Sequence, residues 1–133
     1  MSIAPFPVRL PNALPDDALL EHVDWIDSPT EDRHGFSIDI RYRLADGGSV
    51  HIFETNALPG DMGETDPVTL SGGTIVEVAG ETWTAIVLPN GDGTWNTQLA
   101  RRIGEVTITI DGPDADLVRE VAAQLQPAAP DTQ

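Results

Sequence analysis

The 133-residue chain contains neither cysteine nor lysine. Without cysteine there is no disulfide, no thiol nucleophile and no thiolate metal site. The usual trace of the redox compartment is missing with it. Without lysine there is no Schiff-base chemistry and no lysine general base. Positive charge is scarce. All seven basic residues are arginine, at positions 9, 33, 41, 43, 101, 102 and 119, against 22 Asp and Glu, for a formal net charge of −15. Nucleic-acid and anionic-membrane affinity both come from clustered Lys and Arg. The densest basic cluster here is Arg101-Arg102, so nucleic acid is excluded as a partner. No apolar run approaches the roughly 18 residues of a membrane-spanning helix, which excludes membrane insertion by this chain. Met1–Leu10 has no charged start and no apolar core of a secretory signal. The expected compartment is therefore cytoplasmic if the chain is complete, and extracytoplasmic if it is excised from a longer anchored protein.

Several catalytic signatures are also missing. There is no G-x-S-x-G, H-E-x-x-H, G-x-G-x-x-G or Walker pattern. His22, His34 and His51 are too far apart in sequence to form a local metal pair. Asn90-Gly91-Asp92-Gly93 lacks the spacing of a calcium loop and reads as a hairpin turn. With 22 acids, any fold brings some carboxylate pair together, so a glycosidase-like pair has no specificity as a signal. No cofactor is implied.

What is present is a run of short alternating segments. The 40% hydrophobic content and this length suit a single domain spanning 1–133. Its expected core is about 8–126, with 1–7 and 127–133 flexible. Pro5, Pro7, Pro11 and Pro15 give an extended start, and Phe6, Val8 and Leu10 alternate as in an edge strand. Residues 16–26 have two readings. One is a short helix capped by Asp16, with Leu19, Leu20 and Val23 as its stripe. The other is a turn to Leu20 followed by a strand with Val23 and Trp25 on one face, which the β-branched and aromatic residues at 23–26 favour.

Ser37–Leu44 alternates strictly, with Ile38, Ile40, Tyr42 and Leu44 on one face and Asp39, Arg41 and Arg43 on the other. Ala45–Gly48 is a hairpin turn, and Ser49–Thr55 returns through Val50, Ile52 and Phe53. Residues 56–73 form a long acidic loop, interrupted by a short strand at Val68–Leu70. Further strands are expected at 74–78, 82–88, 94–99 and 105–110, with a turn over Arg101–Gly104. Pro113 suits a first helical position, and Leu117, Val118, Val121, Ala122 and Leu125 form one apolar stripe. The expectation is an α+β domain: a curved antiparallel sheet of six or seven strands, with one helix over 114–125 on its concave face.

The candidate binding residues are Trp95, which follows a turn, and Arg41 and Arg43 on a polar strand face. Cross-strand pairing with carboxylates is the simpler role for the two arginines. Asp61, Glu64 and Asp66 are three carboxylates in one loop and the sole, weak, candidates for a divalent cation.

Four stretches carry a family resemblance. Leu10-Pro11-Asn12-Ala13-Leu14-Pro15 is similar to an "LP…lP" opening, and Tyr42-Arg43-Leu44 to Ile52 to a central hairpin. Val76–Trp83 looks like a "v-x-V-x-G" strand and turn, and Gly104–Ile110 followed by a helix ending Ala123-Gln124-Leu125 resembles the closing strand and helix. Together they resemble a domain of unknown function found at the extracytoplasmic end of anti-sigma-factor-like membrane proteins. The resemblance covers residues 8–127 and implies a non-enzymatic sensory or binding module. It brings no catalytic residues, and this chain lacks the family's anchor and cytoplasmic zinc-binding part. The expected function is a non-catalytic binding or regulatory module with a protein or peptide partner. The alternative is a small hydrolase or isomerase using carboxylates in the sheet concavity, and a third reading is a structural accessory protein.

Overall fold

The computed structural model describes residues 8–11, 18–29, 34–45, 48–56, 73–89, 95–104 and 106–127. Asp61, Glu64 and Asp66, the expected strand at Val68–Leu70 and the Asn90–Gly93 turn lie outside the described residues. The strands are β1 (Arg9–Pro11), β2 (Leu19–Pro29), β3 (His34–Arg43), β4 (Ser49–Thr55), β5 (Thr74–Val78), β6 (Glu81–Pro89), β7 (Trp95–Ile103) and β8 (Val106–Gly112). Helix α1 (Ala115–Gln124) follows, and β9 (Leu125–Pro127) ends the described chain.

Seven strands form one sheet in the order β2-β3-β4-β8-β7-β6-β5, and each neighbouring pair is antiparallel. One helix lies on one face of it, as expected. β1 and β9 make a separate two-stranded sheet. The 8–10 alternation thus belongs to a strand, but its partner is the segment after the helix rather than the edge of the large sheet.

Period-two alternation sorts the side chains. Ile38, Ile40 and Tyr42 of β3, Val50 and Ile52 of β4, and Ile108 and Ile110 of β8 are buried and share the face covered by α1. The helix sends Val118, Val121 and Ala122 into that core, flanked by the partly buried Leu117 and Leu125. These five residues are the stripe expected from the sequence. Helix α1 lies against β7 and β8, and β1 runs beside it.

Four local expectations need correction. Residues 19–29 are all strand, so Leu19, Leu20 and Val23 are not the stripe of a helix. The pairing of β2 slips between Leu20 and His22, and Glu21 is the extra residue. That bulge puts Leu20 and Val23 on one face despite their odd spacing. β7 continues through Arg101-Arg102 to Ile103, because the turn is made by Gly104 at φ +60°. The helix begins after Asp114, whose side chain accepts from Asp116 N–H at 2.9 Å, and Pro113 precedes this cap. Finally, Phe53 points away from the core while Glu54 points into it. The two-residue period of β4 requires this once Val50 and Ile52 face inward.

Candidate functional site

The helix-covered face holds three cavities and one buried acid. β1 crosses this face. An open apolar groove of about 180 Å³ lies between β1 and β2, lined by Val8, Leu10, Leu20, Val23, Ile38, Ile40 and Tyr42. A cavity of about 310 Å³ lies near the C-terminal end of α1 and is lined by Arg9, Glu81, Trp83, Arg101 and Ile108 among others. Glu81 and Arg101 form an ion pair at 2.6 Å in its wall. A third cavity of about 430 Å³ lies between the β5–β7 surface and Ala115 and Arg119 of the helix.

Glu54 sits between the first two cavities. It is paired with Ile38 on β3 and Ile108 on β8, one residue lining each cavity. Its exposure is 0%, and it is the one fully buried carboxyl group among the described residues. Oε1 accepts from the backbone N–H of Arg9 at 2.8 Å, whereas Oε2 is buried with no hydrogen-bond partner. Burial pushes the Glu54 carboxyl up to about 7, and the Arg9 N–H and guanidinium only partly offset this. Burial, followed by the nearby Glu54 charge, raises the Tyr42 phenol.

The opposite face carries a mixed charge cluster. Arg41, His51 and Asp111 are successive cross-strand neighbours on β3, β4 and β8. His51 Nδ1 stands 4.0 Å from Asp39 Oδ1. Burial raises the Asp111 carboxyl; Asp39 adds to the rise, and His51 and Arg41 oppose it. Arg41 Nε is buried without a hydrogen-bond partner. Arg43, further along β3, is exposed and bonds to Glu21 Oε2 through Nε at 2.5 Å.

The structure therefore separates the sequence-derived candidates. Arg41 and Arg43 lie on the face away from α1. Trp95 is exposed at the start of β7, opposite Pro89, on the helix side. β3 and β7 are three strand positions apart, about 14 Å across the sheet. The residues that sequence reasoning missed are Glu54, Leu20 and the Val8–Leu10 segment. The parity of β4 signals Glu54, while nothing local in the sequence signals the seating of β1. Among the described residues, no group of three His, Asp or Glu side chains is placed to hold a metal ion, and no helix is long and apolar enough to cross a membrane.

No family model and no curated protein matches the chain. Among solved structures, it is similar to the crystal structure of MucB in complex with MucA(peri), at TM-score 0.45 and 15% identity, covering 92% of this chain and 37% of that one. The chain thus corresponds to well under half of that protein's length. At this identity and score the likeness assigns neither a family nor a function.

Proposed function

We propose that the chain is a non-catalytic protein- or peptide-binding module that takes an extended segment rich in apolar and basic residues. This agrees with the role implied by the sequence resemblance. The observation that carries the reading is the open apolar groove between β1 and β2, next to the outer edge of β2. On the groove face of that eleven-residue strand Leu20 and Trp25 are exposed at 59% and 48%, and Leu19 and Ile26 are exposed on its other face. Exposed aliphatic and aromatic side chains gathered on one element mark interaction surfaces. A strand at the end of a sheet offers its free backbone groups to an added strand. Among the described residues, β2 has β3 on one side and no strand on the other. The net charge of −15 favours a basic segment and speeds its encounter. Trp95, on the same face four strand positions from β2, supplies a second apolar contact for a longer partner. Arg41 and Arg43 stand outside this reading.

The test uses a short synthetic peptide alternating leucine and arginine, titrated by fluorescence anisotropy against the full chain and its Leu20→Asn variant. Leu20 is 59% exposed, so the substitution spares the core. Saturable binding that weakens about tenfold or more in the variant, a loss of 1.4 kcal/mol, is expected. A leucine–glutamate peptide should not bind. Equal affinity for wild type and variant, or no binding at millimolar peptide, would overturn the reading.

A further inference from the structure

The segment 8–11 occupies the binding face in a way that describes its partner. It is short: three residues of β1 pair with three of β9, from Arg9↔Pro127 to Pro11↔Leu125. Two-stranded ribbons of this size are marginal on their own. Val8 is buried and Leu10 partly buried, and both line the apolar groove. Arg9 contributes its backbone N–H to Glu54 and lines the larger cavity on the other side. β1 is therefore a bar laid across the rung Ile38–Glu54–Ile108, and it divides one trough into two cavities.

We infer that this segment is an internal stand-in for the partner: Val8, Arg9 and Leu10 hold the place that an extended peptide of the same apolar–basic–apolar pattern takes when it binds. The inference rests on the peptide-binding reading above and adds the competitor and the ligand pattern. Two features support the exchange. First, Glu54 Oε2 is buried without a partner, so the acceptor under β1 has unused capacity for a donor brought by another chain. Second, displacing β1 joins the groove to the cavity containing Glu81 and Trp83. A second chain then finds apolar walls on one side of Glu54, and on the other the cavity that Arg9 now lines, where its basic side chain takes the place of the Arg9 side chain beside the Glu81–Arg101 pair. The ladder lost is only three residues long, the incoming apolar residues and backbone N–H replace the burial of Val8 and Leu10 and the bond to Glu54, and the charge of −15 favours a basic replacement over an acidic or neutral one.

The native absence of cysteine makes the test clean. Leu10 and Gln126 are direct cross-strand partners. The double variant Leu10→Cys/Gln126→Cys locks β1 to β9 when oxidised and frees it when reduced. The probe is a capped, labelled synthetic peptide with the sequence of residues 6–12 of this chain. It should bind the reduced form at least about tenfold more tightly than the oxidised form, the ratio expected if the lock cuts the open fraction of the site tenfold or more. In an otherwise native chain, Leu10→Asp should loosen the strap and raise affinity for the same peptide severalfold. Equal binding by oxidised and reduced forms would overturn the inference while leaving the groove reading intact. Failure of every form to bind the self-peptide would overturn it too, and the leucine–arginine peptide would then decide the groove reading separately.

Discussion

The backbone N–H of Arg9 donates to Glu54 Oε1 at 2.8 Å beneath a strand that pairs with only one other short strand. This bond joins the small β1–β9 ribbon to the seven-stranded sheet. It also brings a carboxyl group into a face built mainly from apolar side chains. A buried acceptor meets the need of a buried backbone donor, but a buried charge is costly. The two demands pull in opposite directions, and pH decides between them.

Stability should therefore depend on Glu54 near neutrality. Its carboxyl is raised from an ordinary 4.5 to about 7, so the folded state holds the proton more tightly than the unfolded chain. The stabilisation is fully present below about pH 4.5 and is lost as pH rises through about 7. The nearby groups named by the electrostatics are Arg9, which favours the charged form, and Tyr42, whose phenol is neutral throughout this range. The contribution is of the order of 2–3 kcal/mol at full loss. Glu54→Gln keeps an acceptor for Arg9 N–H without the charge. Thermal melts at pH 5, 7 and 8 should show a falling Tm for wild type and a flatter profile for the variant. The variant should be several degrees more stable at pH 8. A wild-type Tm that does not fall over this range would contradict the assignment.

Much of this architecture was legible in the sequence. Strict alternation over 37–44 places a half-buried strand, and the 117–125 stripe places the helix, because both patterns reflect local geometry. Glu54 was obscured by Ile52-Phe53, two adjacent apolar residues that hide which of them faces inward. Strict parity from Val50 would have resolved it. β2 was obscured for another reason: its bulge at Glu21 breaks the period of two on which strand reading depends. The seating of β1 against Glu54 joins residues 45 positions apart, and its pairing with β9 joins residues over a hundred apart. No local rule reaches that far, so the candidate site was only half visible.

Asn56 continues the β4 pairing after the strand has ended. Its side-chain Oδ1 accepts from Phe36 N–H at 2.9 Å, and its own N–H donates to the Phe36 carbonyl at 3.2 Å. Asn56→Ala removes the first of these bonds beside a buried aromatic residue. A loss of about 1–3 kcal/mol is expected in denaturant melts. Asn56→Asp keeps an acceptor but places a carboxyl group at a buried position, so its cost should grow as pH rises and the group ionises. If alanine is tolerated without measurable loss, Phe36 N–H is not dependent on this side chain.

Gly112 sets how closely the helix approaches the sheet. A Cβ at this position would lie 3.1 Å from Val118 Cγ2 and 3.2 Å from Val50 Cγ2. Both side chains are fully buried and cannot swing into solvent. Gly112→Ala should therefore overpack the junction and destabilise by about 1–3 kcal/mol. The double variant Gly112→Ala/Val118→Ala, which restores the lost space, should recover part of the Gly112→Ala loss relative to Val118→Ala alone. A double-mutant cycle on urea midpoints measures this coupling directly.

The turn between β5 and β6 offers a stabilising change. Val78 and Glu81 are paired, leaving Ala79 and Gly80 as a two-residue loop with φ of 51° and 83°. Positive φ at both positions is the geometry that suits the right-handed twist of a hairpin. Gly80 adopts it freely. For Ala79 the left-handed region brings Cβ against the next carbonyl, a cost of roughly 1–2 kcal/mol. Asparagine tolerates this conformation, and Asn-Gly is the preferred pair for such a turn. Ala79 is exposed, so its larger replacement meets no buried neighbour. Ala79→Asn should therefore raise stability by about 0.5–1 kcal/mol, read as a higher urea midpoint at unchanged slope. Ala79→Val, β-branched at the same φ, should lower it. If the asparagine and valine variants move the midpoint in the same direction, backbone strain at residue 79 is not what sets the stability of this hairpin.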